Sequence, residues 1–367
     1  MSRILAPDLA RGAMLLLIAV ANTPWYLWGR ELRVSTIHPP GGSALDRAVQ
    51  VVALVGVDFR VYPMFAFLFG YGMARMSGDP NRRNVWLLVF GFLHAALLWQ
   101  GDILGAYGLA GLLLAKLFFG RDDRTLLRWA AVGAGVLAVA TLLAVGAAGA
   151  LPTDLPGYFG IGTAASGQPD PAVAVLDRLL FWSVIVTVGQ GLLALALPVA
   201  IVLGFWAARQ RVLEEPGRHL PLLRRVAVIG IAIGWLGGLP HAAAVMGWLP
   251  GPMTVYEVTQ LTTGLPAGLG YAAVFGLIGH RISRPGPVVT AVAAVGRRSL
   301  SAYLAQSLLC APVLAAWGLG LGARMHSASM AAYAVGVWLV TVAGAVLLDR
   351  RGLPGPAEIV LRRLRKR

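Results

Sequence analysis

Stretches of about twenty apolar residues follow one another from Ala13 to Leu348, separated by short links that carry most of the charge. A helix needs about 20 residues to cross the hydrocarbon of a bilayer. The pattern therefore predicts an all-α, polytopic membrane helical bundle of about ten transmembrane helices. The expected spans lie near 12–29, 58–76, 84–100, 103–119, 126–148, 187–208, 226–247, 257–280, 298–318 and 329–349. Segment 48–57 is too short to cross and is expected along the outer surface. Segment 172–186 reads as an interfacial or re-entrant helix. Gln100-Gly101-Asp102 leaves room only for a tight hairpin. The link at about 149–171, rich in Gly, Pro and Ala, lacks the apolar periodicity of a folded domain. The first run, Ala13–Trp28, ends in Pro24, Trp25, Tyr26 and Trp28 rather than a small-residue cleavage site, so it reads as a retained helix with an aromatic interfacial end.

Arginine orients these spans. When alternate links are assigned to the same side, 25 of the 31 basic residues fall on one side, including Arg75, Arg82, Arg83, Arg121, Arg224, Arg297 and the basic tail at 350–367. Arg30, Arg33, Arg47, Arg60, Arg178 and Arg324 fall on the other. Basic links stay in the cytoplasm, which places both termini there, in a bacterial inner membrane.

Composition agrees. A mean hydropathy of +0.72 with 57% hydrophobic and 13% charged residues excludes a soluble domain. The net charge of +15 is accounted for by orientation and by contact with anionic membrane lipids, and no basic-aromatic cluster points to nucleic acid. The one cysteine, Cys310, excludes an intramolecular disulfide and a multi-cysteine metal site. No zinc-type histidine pairing, phosphate-binding glycine loop or serine elbow is present, so no metal site is expected.

In a bilayer the informative residues are the expensive ones. An outer group comprises Asp58, Arg60, His94, Asp102, Glu257 and Gln260. His94 lies about six residues below the outer end of its span with no partner on its own helix. Asp102 follows beyond the hairpin and could orient the imidazole as in an acid–base pair. That reading requires the imidazole to face a wet chamber; the alternative is a ring that merely bonds a carbonyl. Asp58, Arg60 and Glu257 read either as interfacial residues in water or, with Gln260, as substrate contacts. An inner group comprises Asp8, Arg11, Arg75, Arg297 and Arg298. The last two open the ninth span, where free amide hydrogens and two guanidiniums make an anion site or simply an orientation signal. Gln306 and Ser307 continue one face of that span inward. His241 and His280 read as structural.

Several strings carry a family resemblance: Asp8-Leu9-Ala10-Arg11-Gly12 with Asn22, Tyr62-Pro63-Met64-Phe65-Ala66-Phe67-Leu68-Phe69-Gly70-Tyr71-Gly72, the run from Gly91-Phe92-Leu93-His94 to Gly101-Asp102-Ile103-Leu104, Gly296-Arg297-Arg298-Ser299 continuing to Gln306-Ser307, and Gly355-Pro356-Ala357-Glu358. Together they resemble the YeiB-like bacterial membrane proteins, a family of unknown function. The resemblance implies a ten-or-so-helix inner-membrane protein, with distant kinship to transmembrane acyltransferases. Ala302 stands where the pattern of the ninth span expects Asn.

Two functions follow as expectations. In a transmembrane acyltransferase, acyl-CoA would be the cytoplasmic donor, Arg11, Arg297, Arg298 and Gln306 would hold it, and His94 with Asp102 would deprotonate a small-molecule acceptor or carry the acyl group. In a transporter of a small apolar or anionic compound, five and five spans would form an inverted repeat, although the two halves share no motif.

Overall fold

The computed structural model describes residues 5–30, 36–147, 158–189 and 194–366. Arg3, Arg33, Arg367 and residues 149–157 of the long link lie outside them. Among the described residues every regular element is a helix. In chain order these are α1 (Leu5–Asn22), α2 (Ala44–Gly56), α3 (Val61–Ala74), α4 (Pro80–Leu97), α5 (Leu104–Phe118), α6 (Asp123–Gly146), α7 (Tyr158–Gly167) and α8 (Pro171–Val184). They continue with α9 (Ala196–Arg209), α10 (Leu220–Val245), α11 (Met253–Arg281), α12 (Pro287–Arg297), α13 (Ser299–Leu314), α14 (Ser327–Arg350) and α15 (Pro356–Lys366).

Length divides these helices into two kinds. Six segments among the described residues are long and apolar enough to cross a bilayer: Leu5–Tyr26, Asp123–Gly146, Pro171–Gly189, Pro216–Val245, Met253–Arg281 and Ser327–Arg350. The bent pair α2 and α3 makes a seventh if counted as one span. The sequence pattern anticipates α1, α6, α10, α11 and α14. Segment 172–186, expected as an interfacial or re-entrant helix, belongs to a 19-residue helical segment, Pro171–Gly189, that is long enough to span. The pattern departs from the fold at α12, a helix preceding the expected ninth span. The expected spans at 103–119, 187–208 and 298–318 appear as helices of 15, 14 and 16 residues.

The short α9 is far more buried than the long α6. Ala200 of α9 is 0% exposed and Leu142 of the long α6 is 70% exposed. A helix packed inside protein need not match the bilayer thickness, because its ends are satisfied by neighbouring helices rather than by headgroups. The aromatic end of α1 is packed at Tyr26, which is 2% exposed and lies 4.8 Å from Trp99, ring to ring.

Local chemistry starts several elements. Ser43 and Asp46 form a capping box on α2, Asp79 caps α4, and Asp170 caps α8 through the amides of Ala172 and Val173. α2 and α3 meet at a bend of 40°, where Phe59 takes a φ of +62. Gly264 of α11 lies against the Phe59 carbonyl, and any side chain there would collide with it. That close approach brings Asp58 and Arg60 into the centre of the bundle. The described part of the long link forms α7, which accepts the Gln100 amide at Gly162 O (2.8 Å) and Ser166 Oγ (2.7 Å).

Candidate functional site

The α4–α5 hairpin builds the central pair. Leu98 N and Trp99 N both donate to His94 O at 2.9 Å, ending α4. The turn that follows brings Asp102 back to the imidazole, with His94 Nδ1 2.8 Å from Asp102 Oδ1. Asp102 Oδ2 accepts from Gly105 N at 2.8 Å and from Trp182 Nε1 at 3.2 Å. An ionised carboxylate only accepts, so Nδ1 carries the hydrogen in this contact. Nε2 of His94 is buried and has no protein partner. Gly91 permits the arrangement, since a side chain there would strike Gly105 N and Asp102 Oδ2.

α8 clamps the hairpin from the side. Arg178 donates through Nε to Ala95 O and Ala96 O, both at 3.2 Å, and through Nη2 to Ala96 O at 2.8 Å. A cation on the last carbonyls of a helix is favourable, and it fixes the turn after His94. Arg178 and Trp182 thus reach the pair from a helix that sequence periodicity alone had placed at the interface. Their i, i+4 spacing on an apolar helix was the available signal.

The imidazole is enclosed by protein. Its side chain is 1% exposed, and Tyr303 stands edge-on to it with ring centroids 5.1 Å apart. This corrects the expectation that His94 faces a wet chamber directly: the aromatic ring of Tyr303 separates the two. Tyr303 itself lines two cavities. One, of about 20 Å³, also contains Asn22, Gln306 and Ser307. Gln306 is fixed there by donating to Leu15 O at 3.1 Å. The other is much larger.

That larger cavity, of about 590 Å³, carries Arg11, Arg75, Arg83 and Arg297 in its wall, with Tyr303 and Tyr107 at its deep end. Arg11 donates to Leu68 O at 3.2 Å. Arg83 lies 4.8 Å over the Phe69 ring, and its Nη1 is buried without a partner. Arg75 is paired with Glu214 at 2.6 Å. At the rim, hydrogen bonding by Glu214 pushes the exposed Arg211 guanidinium above its ordinary range.

The expected anion site at the start of the ninth span is filled by the chain itself. Glu358 of α15 accepts from Leu300 N at 2.9 Å, from Ser301 N at 3.3 Å and from Ser301 Oγ. Arg297 and Arg298 both pair with Asp349, at 2.7 and 3.0 Å. Arg298 also donates to Leu353 O through Nε at 3.0 Å. These bonds hold Arg298 outside the cavity wall, whereas Arg297 remains in it. Asp349 and Glu358 come from more than fifty residues away, so no local pattern announced them.

A third space, of about 80 Å³ and called the histidine chamber after His241 in its wall, lies beyond Asn22, which it shares with the small cavity. Asp58, His241 and Gln260 line it with Trp25, Phe59 and Tyr62. Asp58 Oδ2 is 2.9 Å from Nε2 of His38, a buried residue that the sequence pattern did not single out because it sits in a polar link. Arg60 is wholly buried and donates to Asp58 O and, at 2.7 Å, to Gly234 O. This corrects the reading of Arg60 as an interfacial residue in water. Glu257, half-buried on α11, stands outside the chamber wall. Among the described residues no group of three or more His, Cys, Asp or Glu side chains could hold a metal ion.

Comparison with known proteins supports the resemblance seen in the motifs. Residues 207–367 match the model of a family described as "Protein of unknown function (DUF418)". The chain is 27% identical over 351 residues to the uncharacterized protein YxaH of Bacillus subtilis (strain 168), covering 86% of this chain and 81% of that one. It is 28% identical over 346 residues to the uncharacterized protein YeiB of Escherichia coli (strain K12), covering 85% and 82%. The chain is therefore homologous to the YeiB-like proteins over most of its length, and its apolar helices mark it as a membrane protein.

Proposed function

We propose that this chain is a transmembrane acyltransferase of the bacterial inner membrane. On this reading about ten passes, counting the short buried helices, leave both termini and the arginine cavity on the cytoplasmic side, and the histidine chamber faces outward. The observation that carries the proposal is a histidine fixed by a carboxylate, with its second nitrogen unpartnered, beside the tyrosine that divides cavities approaching from opposite ends. An unsatisfied buried nitrogen costs about 1–3 kcal/mol, and its retention is accounted for by a proton-transfer role.

The donor is an acyl-CoA or a similar nucleotide thioester. Its phosphates lie among Arg11, Arg75, Arg83 and Arg297, while its thioester points toward Tyr303. Rotation of Tyr303 brings the reacting carbonyl to His94. His94 Nε2 first gains a proton, with Asp102 stabilising the imidazolium; the C–S bond then breaks and the departing thiolate takes that proton, leaving His94 neutral again. The acceptor, a hydroxyl or amine from the other side, loses a proton in the same exchange.

Purified full-length protein supplied with acetyl-CoA should release free thiol, detected with a chromogenic disulfide. His94→Gln should lower that release by roughly 10²–10⁴-fold while labelled CoA still binds. Undiminished release by His94→Gln would remove the mechanism. Flux of a compound through proteoliposomes without thiol release would favour the transporter reading instead.

A further inference from the structure

His241 of α10 is the side chain in the histidine chamber whose protonation state the surrounding bonds dictate. Its Nδ1 contacts Gln260 Oε1, and Gln260 Nε2 donates to Leu54 O at 2.5 Å. Reversing the Gln260 amide would set its oxygen against the Leu54 carbonyl, acceptor against acceptor, so only one orientation satisfies both contacts. The oxygen then faces His241, and Nδ1 must be the donor. Nε2 is left as a bare lone pair. It is buried and has no protein partner, although His241 lines the chamber and is 1% exposed overall.

A core histidine kept for packing alone would place both nitrogens against partners. This one is held by an amide that is itself held by a backbone carbonyl, its residue lines the chamber, and its Nε2 is left as an acceptor without a protein partner. The remaining wall is balanced in charge and partly aromatic. The Asp58 carboxylate is met by His38 at 2.9 Å, the buried Arg60 guanidinium donates to the Asp58 backbone carbonyl nearby, and Trp25, Phe59 and Tyr62 supply flat apolar surface. Such a lining suits a small neutral hydroxyl compound, with one hydroxyl donating to nitrogen and carbon faces lying on rings.

We infer that the histidine chamber is the acceptor site and that His241 is the base that deprotonates a hydroxyl of a small polyol or sugar. The inference rests on the acyl-transfer reading above. The acceptor O–H bond breaks and its proton goes to His241 Nε2. The oxygen bonds to the acyl carbon, the C–S bond breaks, and the thiolate takes a proton that His94 Nε2 has first gained from water, while His241 gives its proton back to water, so both imidazoles end neutral as they began. Gln260, expected from sequence as a substrate contact, becomes a positioning residue that fixes the tautomer.

The test measures ester formation by mass spectrometry and thiol release with acetyl-CoA as donor and either glycerol or glucose as acceptor. Wild type should acylate at least one of them. His241→Gln should lower acceptor-dependent release about a hundredfold with labelled CoA binding unchanged. Gln260→Leu should reduce kcat about tenfold, leave the donor KM in place, and shift the ¹⁵N signature of His241 away from the Nδ1–H tautomer. Acylation of neither compound by wild type, or a wild-type acceptor-dependent rate in His241→Gln, overturns the inference. Basal thiol release that still depends on His94 in either of those cases shows that this inference has failed alone. Absence of both CoA binding and thiol release shows that the reading beneath it has failed.

Discussion

The arginine cavity and the histidine chamber are built on opposite principles. The first is wide, about 590 Å³, and rich in fixed positive charge, much of it already countered by the chain's own carboxylates: Arg75 by Glu214, and Arg297 by Asp349. The second is narrow, about 80 Å³, balanced in charge, and lined by nitrogens with directed lone pairs and hydrogens. Fixed cations select by charge and tolerate varied shapes, whereas directed hydrogen bonds at close quarters select by position. A protein carrying both, with His94 and Tyr303 between them, is arranged to hold a bulky anion at one end and a small neutral molecule at the other.

The largest expected effect bears on the junction between the two. His94→Gln should remove turnover by roughly 10²–10⁴-fold and leave both sites able to bind, whereas a loss of CoA binding in that variant would show that the regions are not separable. Next comes the support of the junction. Gly91→Ala forces a methyl group into Gly105 N and Asp102 Oδ2, and overpacking of that kind costs about 1–3 kcal/mol. A lowered thermal midpoint together with lost thiol release is expected, and an unchanged midpoint would mean the hairpin is looser than its bonds imply.

The arginine side should answer to charge alone. Arg83→Gln removes a cation whose Nη1 has no protein partner, so labelled CoA should bind about tenfold more weakly, with the deficit shrinking at high salt as screening grows. Affinity that is unchanged at low salt would place the donor elsewhere. The smallest effect belongs to the mouth of that cavity. Glu358→Gln weakens a carboxylate held at the start of α13 by two amides and a hydroxyl, worth about 1 kcal/mol. Residues of α15 should then become more open to limited proteolysis, and protection equal to wild type would show that the tail is held by other contacts.

Sequence and structure agree where one physical rule dominates. Apolar runs without charge gave α1, α6, α10, α11 and α14, because a lipid-facing helix has to meet the bilayer thickness. The same rule expects longer helices than α5, α9 and α13, which have 15, 14 and 16 residues; α9 is largely enclosed by protein and so released from that length. It also gave no hint that Arg178 of α8 caps the carbonyls after His94. The His94–Asp102 pair was legible because hairpin length alone brings the two residues together. His38 with Asp58, Arg298 with Asp349 and the Ser301 region with Glu358 were not, since each joins elements 20 to 58 residues apart. The free nitrogen of His241 was hidden for another reason: which atom is free depends on the orientation of one distant amide, and no spacing along the chain encodes that.

Sidedness is the central claim, and it can be measured directly. Sealed proteoliposomes with inserted protein of known orientation would hold acetyl-CoA carrying a labelled acetyl group only at the face of the arginine cavity, with glycerol and glucose only at the other face. The account predicts labelled ester on the far side and free CoA retained on the near side, both abolished by His94→Gln. Label that stays with CoA, or ester that forms on the donor side, would contradict it.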